Sequence, residues 1–384
     1  MDTWIRSGTI ITPAQTLTHR VIIIHNDRIS SIEREQEVTD NPQNVSTIDA
    51  SGLYITPGLI DVHTHGAAGF DTMDATPQAI RAMADYFIRH GVTSFLATTI
   101  TNSSQGIVSA IDNLRKLPKV GSGSQVLGVH LEGPYINSTH KGAQPEEWVR
   151  HPSPVEYCPW FDSGLVRLMT IAPELPGAVE CIRQGTARGI KFSAGHSGAS
   201  YSQAIAAIDA GLNHSTHTFN GMIAMNHRNP GVVGAVLTDE RIYCEMIADG
   251  IHIHPAVLRL IVRIKGVERT ILVTDSMRAT GLSDGEYDLG GHKSIVKDGV
   301  VRTSSGSLAG STLTLDRAVA NMMTFGGCTI NQAVEMATSS PANCLGLKGQ
   351  IGVIIPGADA DLLLADESFT IKTVLRKGKV SFQA

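Results

Sequence analysis

The chain has no CxxC pair, no apolar run long enough to cross a bilayer and no surplus of basic residues. Each absence removes a class of function. The five cysteines (Cys158, Cys181, Cys244, Cys328, Cys344) are odd in number and scattered. That usage argues against structural disulfides and fits a reducing, cytoplasmic setting. No uninterrupted apolar stretch approaches the roughly 20 residues a membrane span needs. The segment Met1 to Arg6 already carries Asp2 and Arg6, unlike the basic and then apolar opening of a secretory signal. Lys and Arg total 31 against 36 Asp and Glu, a net charge of −5. That balance argues against nucleic acid or an anionic membrane as a partner, so any anionic substrate has to be met by local Arg and His. There is no internal repeat and no low-complexity tract. The 384 residues are enough for one large domain and a smaller one.

What is present is a series of apolar runs. Eight of them suit buried parallel strands: Leu59 to His65, Thr93 to Thr98, Val126 to Glu132, Arg167 to Ala172, Ile190 to His196, Asn213 to His217, Tyr243 to Ala248 and Thr270 to Asp275. Amphipathic stretches such as Thr76 to His90, Ser202 to Ala210, Pro255 to Ile264 and Leu315 to Phe325 fill gaps between runs. This order predicts an α/β fold, a (β/α)8 TIM-type barrel over residues 55–349. The two ends differ. Short β-rich runs before residue 50, and again at Asp361 to Leu364 and Ile371 to Leu375, are too few at either end to bury a face alone. They are expected to pair with one another, residues 1–54 with 350–384, into one small β-sandwich domain. The polar stretch Glu33 to Asn44 reads as a loop or insertion within it.

Six residues with metal-binding or proton-carrying side chains close these runs: His63, His65, Glu132, His196, His217 and Asp275. All fall at the C-terminal ends of strands, the face of a barrel where chemistry is built. His63 and His65 are two apart on a strand, so both point inward. Two such imidazoles can grip one ion, and the same pattern also fits two satisfied polar residues at a turn. Glu132, between Leu131 and a Gly133-Pro134 turn, suits a hard or borderline cation, or is an ordinary loop carboxylate. His196 and His217 are ligands or hydrogen-bonded core residues. Asp275, delivered by an apolar strand, suits general acid/base work or the orienting of a ligand histidine. Three to five of the set could hold one or two divalent ions, with Asp275 left to carry protons. His130 and His214 lie inside their strands and receive no metal role. His140, His151, His227 and His292 read as loop histidines.

Longer blocks carry a resemblance. Pro57-Gly58-Leu59-Ile60-Asp61-Val62-His63-Thr64-His65-Gly66, His130-Leu131-Glu132-Gly133-Pro134, Ala194-Gly195-His196-Ser197, Thr216-His217-Thr218-Phe219-Asn220-Gly221-Met222, Val273-Thr274-Asp275 and Leu308-Ala309-Gly310-Ser311 resemble the N-acetylglucosamine-6-phosphate deacetylase family of the amidohydrolase superfamily. The likeness runs nearly end to end. It implies metal-dependent hydrolysis of the N-acetyl group of N-acetylglucosamine 6-phosphate, giving acetate and glucosamine 6-phosphate. It also implies a main ion held by Glu132, His196 and His217, a second site at His63 and His65, and Asp275 as the acid/base. Zinc is the default ion for such a set, with ferrous iron or another divalent ion also compatible. Ala143, Asn220, Gly221, Arg228, His252 and the segment Leu308, Ala309, Gly310 resemble substrate contacts, and Arg228 and His252 suit a phosphate. A homodimer is implied, with one of that pair reaching across the interface. Gln144 departs from the pattern, because many members carry a histidine there that touches the acetamido carbonyl. Three rivals stand beside this reading. An N-acetylgalactosamine-6-phosphate deacetylase would share the motifs. A dihydroorotase-like cyclic amidase would want a lysine in the fourth run, and Arg167 to Ala172 has none. A catalytically dead barrel kept for binding would be expected to have lost some of the six residues.

Overall fold

A computed structural model describes residues 2–38, 45–117, 121 and 123–384. Eight parallel strands form one sheet in strict chain order: β1 Leu59–Thr64, β2 Val92–Thr99, β3 Gln125–Glu132, β4 Val166–Ile171, β5 Lys191–Ala194, β6 His214–Ser215, β7 Tyr243–Ile247 and β8 Thr270–Val273. The sheet curls until its two edges meet just past the strands. There Asp275 N donates to His63 O and His65 N to Ser276 O, each at 2.9 Å. Every residue of β1 and β2 is buried, as expected of strands covered on both faces. Helices supply the outer cover. Thr76 caps Pro77–Phe87, whose Ile80, Met83, Ala84 and Phe87 form a buried stripe. Their spacing of three and four residues sets that stripe against the barrel.

The two chain ends meet in a six-stranded sheet that takes Thr9–Ile11, Thr16–Leu17 and Tyr54–Pro57 from one end. The other end gives it Leu362–Ala365, Ile371–Arg376 and Lys379–Gln383. A four-stranded sheet (Asp2–Arg6, Arg20–His25, Arg28–Arg34, Val45–Asp49) faces it. Ile5, Ile22 and Ile24 share one apolar core with Ile10, Ile55, Leu362 and Leu364. The period-2 geometry of a strand lets Leu362–Ala365 serve two cores. Leu362 and Leu364 enter this small one, while Leu363 and Ala365 pack with the barrel. Of the expected loop from Glu33 to Asn44, the first two residues extend a strand and Glu35–Glu37 form a 3-10 turn. Residues 39–44 lie outside the described residues.

Two features depart from the periodicity reading. β6 is only two residues long, because the chain turns away into left-handed backbone at His217, φ 27°. After β8 the chain makes an antiparallel three-stranded sheet, Gly285–Leu289, His292–Lys297 and Val300–Thr303. This sheet has its own apolar cluster with Ile100, Met277 and Ala309, beside the site end of the barrel.

Candidate metal centre

Six side chains converge at the C-terminal mouth of the barrel. His63 lies in β1 and Glu132 ends β3, while His65, His196, His217 and Asp275 follow within two residues of their strands. His196, His217 and Asp275 all have positive φ (49°, 27° and 50°), a strained backbone for residues other than glycine. The strain falls where the chain leaves each strand and turns its side chain back over the mouth. Gly221 makes a related concession. Its φ is +63°, and a Cβ there would come within 2.8 Å of His196 Nδ1.

Glu132 Oε1 is 3.0 Å from His196 Nε2 and 3.1 Å from His217 Nε2, and the two nitrogens are 3.2 Å apart. His196 Nδ1 must donate, because its partner at 3.0 Å is the carbonyl oxygen of His140, so the neutral ring presents a bare Nε2. His217 Nε2 completes a triangle with Glu132 Oε1 and the bare His196 Nε2, an arrangement that suits a cation at its centre. A tetrahedral ion with arms of about 2.0–2.1 Å spaces its ligands about 3.3 Å apart, close to the triangle seen. The residues fit a divalent metal.

A second group adjoins the first. His65 Nε2 lies 3.2 Å from Asp275 Oδ1 and 3.2 Å from Glu132 Oε2. His63 Nε2 lies 3.5 Å from Asp275 Oδ1 and from Glu132 Oε1, and makes no hydrogen bond. Glu132 therefore spans both groups, one oxygen turned to each. Burial works against ionisation of Asp275, but His63 and His65 hold its carboxyl below the ordinary value. The same two rings and those of His196 and His217 hold Glu132 well below its own. Burial also opposes charge on His63, yet Asp275, Glu245 and Glu132 raise its pKa to about 9. So negative a pocket draws protons onto its imidazoles, or a divalent cation in their place.

The cavity in front of these groups, about 290 Å³, is lined by His65, Glu132, His196, His217 and Asp275 together with Ala143, Gln144, Asn220, Gly221, His252, Leu308 and Gly310. Gln144 Oε1 accepts from Thr101 N at 2.7 Å and its amide nitrogen donates to Glu132 Oε2. The amide is thereby locked with its NH2 toward the ligands. His252 is held through Nδ1 by Asp249 Oδ2 at 2.6 Å. Two expected contacts lie elsewhere. Ala309 is turned into the apolar cluster under the three-stranded sheet, because alternate residues of that segment face opposite ways. Arg228 is exposed on the loop after Met222, outside the cavity of its own chain.

The sequence reading also passed over residues that the structure draws in. Glu245 is fully buried in β7, against both groups. Its signal was a lone acid in the apolar run Tyr243-Cys244-Glu245-Met246-Ile247. Glu174 braces the loop after His196, accepting from Ser197 Oγ at 2.7 Å and Gly198 N at 2.6 Å. Leu289, from the unforeseen sheet, closes one side of the cavity.

A model of the amidohydrolase family matches residues 54–381. The chain belongs to the amidohydrolase family. An N-acetylglucosamine-6-phosphate deacetylase of Vibrio furnissii is 41% identical over 368 residues, 95% of this amidohydrolase and 91% of that protein. An N-acetylgalactosamine-6-phosphate deacetylase of Escherichia coli O157:H7 is 37% identical over 98% of both chains. Among solved structures, an aspartate-to-alanine variant of N-acetyl-D-glucosamine-6-phosphate deacetylase from Mycobacterium smegmatis, in complex with N-acetyl-D-glucosamine-6-phosphate, superimposes with a TM-score of 0.93. It is 32% identical and covers 100% of each chain. No helix among the described residues is long and apolar enough to cross a membrane.

Proposed function

We propose that this amidohydrolase removes the N-acetyl group of N-acetylglucosamine 6-phosphate, releasing acetate and glucosamine 6-phosphate. The triangle of Glu132 Oε1, His196 Nε2 and His217 Nε2, facing an ionised Asp275 across one small cavity, carries the proposal. Those three would hold one divalent ion, zinc by the character of the donors, and His63 with His65 would hold a second. A bound ion supplies Lewis-acid polarisation of the acetyl carbonyl and makes water a better nucleophile at neutral pH.

The chain's own groups do the rest. Asp275, kept ionised, takes a proton from the attacking water and returns it to the departing nitrogen. Gln144 turns its remaining N–H toward the carbonyl oxygen as negative charge develops there. Ala143, Asn220, Gly221, Leu308 and Gly310 shape the sugar pocket. His252, braced by Asp249, and Arg228 bind the phosphate remote from the bond that breaks and so fix its orientation. Arg228 follows the exposed Ile223 and Met225 along one exposed segment, which supports its delivery to a partner's cavity in a homodimer. The same reading keeps residues 1–54 with 350–384 as a small domain beside the catalytic barrel of 55–349. It also sets the enzyme in the cytoplasm, in keeping with five free thiols.

The 37%-identical N-acetylgalactosamine-6-phosphate deacetylase supports a second reading in which only the sugar epimer changes. Acetate release by metal-loaded protein from N-acetylglucosamine 6-phosphate, its galacto epimer and unphosphorylated N-acetylglucosamine separates the two. We expect the phosphorylated gluco sugar to be preferred. A galacto preference would keep the chemistry and change the substrate, and no release from any of the three would refute the proposal.

A further inference from the structure

Behind the cavity lies a carboxylate that none of the chemistry above uses. Glu245 projects from the middle of β7 and is fully buried. Its Oε2 is 3.0 Å from His63 Nδ1 and 3.0 Å from the backbone nitrogen of His217. His214 Nε2 lies 2.9 Å from its other oxygen, and His214 Nδ1 is in turn 2.8 Å from Cys344 Sγ. An ionised carboxylate can only accept, so the nitrogen of His63 that faces it must carry the hydrogen. The neutral ring then has its lone pair on Nε2, the atom turned toward Glu132 and Asp275, 3.5 Å from each, and left without a hydrogen bond. Nothing else fixes that choice. His130 packs edge-on against His63 at 4.7 Å, with its Nε2 engaged by Thr170 Oγ1 at 2.8 Å.

We infer that Glu245 is the positioning residue that makes His63, His65 and Asp275 a competent second cation site. It does so by locking His63 in the Nδ1–H form with Nε2 turned toward Glu132 and Asp275. This rests on the metal-dependent reading above and deepens it. The second ion depends on a residue that touches neither substrate nor metal. A carboxylate behind a ligand histidine fixes both the direction and the basicity of the ring. Here the same carboxylate also braces the main chain of His217, so one residue of each ligand group leans on Glu245.

The test is a metal count on the full chain, stripped with a chelator and dialysed against graded zinc without substrate. Wild type is expected to take up two ions per chain. Glu245→Ala is expected to keep the ion at Glu132, His196 and His217, which certifies the fold, and to bind the second about 10–100-fold more weakly. Glu245→Gln retains an acceptor oxygen and should recover most of that loss. Should Glu245→Ala fail to fold, Glu245→Asp answers the same question. Its carboxylate keeps the charge but is drawn back from Nδ1, so the second ion should still be lost. One ion in wild type would overturn the inference. So would two ions at unchanged affinity in Glu245→Ala or Glu245→Asp, or equal losses in the Ala and Gln variants. Because the count uses no substrate, a failed deacetylation assay would not touch it.

Discussion

Asp275 is the residue on which the chemistry turns, because its carboxylate faces two imidazoles and the cavity at once. Asp275→Asn keeps the shape and removes the base. Turnover should fall about 10²–10⁴-fold, the range of general acid/base catalysis, while the ion at Glu132, His196 and His217 stays bound. A variant that loses that ion, or that turns over normally, would contradict the assignment. Arg228 carries a different expectation. If it meets the phosphate in a dimer, Arg228→Ala removes a charged hydrogen bond worth about 1.5–3 kcal/mol. KM should then rise roughly ten- to a hundredfold with kcat little changed, and an unchanged KM would remove Arg228 from the site. At this scale the sequence was most readable where chemistry and position agree. His63, His65, Glu132, His196, His217 and Asp275 each end a strand, and the barrel converts that pattern into one cluster. Glu245 escaped because it lies within a strand, where an acid looks like a break in an apolar run. Only the neighbours brought from β1 and β6 reveal its purpose.

At the scale of elements, the strands were legible because burial on both faces writes them as continuous apolar runs. Each of the eight expected runs overlaps one of the eight barrel strands, with ends that differ by a few residues at most. The three-stranded sheet after β8 was not foreseen, since its residues alternate between exposed and buried and resemble loop. Gly290-Gly291 and Asp298-Gly299 at its turns were the available signal, as such pairs favour two-residue hairpins. The six-stranded sheet holds a testable liability. Asp361 precedes Leu362–Ala365, accepts from Lys377 N at 2.6 Å and has a second oxygen buried without a partner. Burial pushes its pKa up to about 6. A raised carboxyl pKa means that the folded state holds the proton more tightly than the unfolded one. Stability should therefore fall as pH rises from about 4 to 6, by roughly 1.4 kcal/mol per unit, and stay level above. Asp361→Asn should flatten that interval and add on the order of 2 kcal/mol at neutral pH. Denaturant melts of the two proteins at pH 4.5 and 7.5 check this, and parallel pH dependence in both would exclude Asp361 as the source.

For the whole molecule, one carboxylate, Glu132, turns an oxygen to each ligand group, and the barrel brings the ends of five strands, β1, β3, β5, β6 and β8, to that point. The sequence could say that such a point existed. It could not say which of Arg228 and His252 would stand clear of its own chain's cavity, because that depends on the path of a loop whose Ile223 and Met225 are exposed. The central claim is that hydrolysis requires an ion held by Glu132, His196 and His217. The most direct test strips the protein with a chelator and returns zinc in fractions of an equivalent. Bound metal and acetate release from N-acetylglucosamine 6-phosphate are read at each step. Activity should be absent at the start and climb with the first equivalent bound, and His196→Ala should show neither the tight first ion nor the climb. Full activity in the stripped protein, or one tightly bound equivalent with no acetate released, would contradict the account.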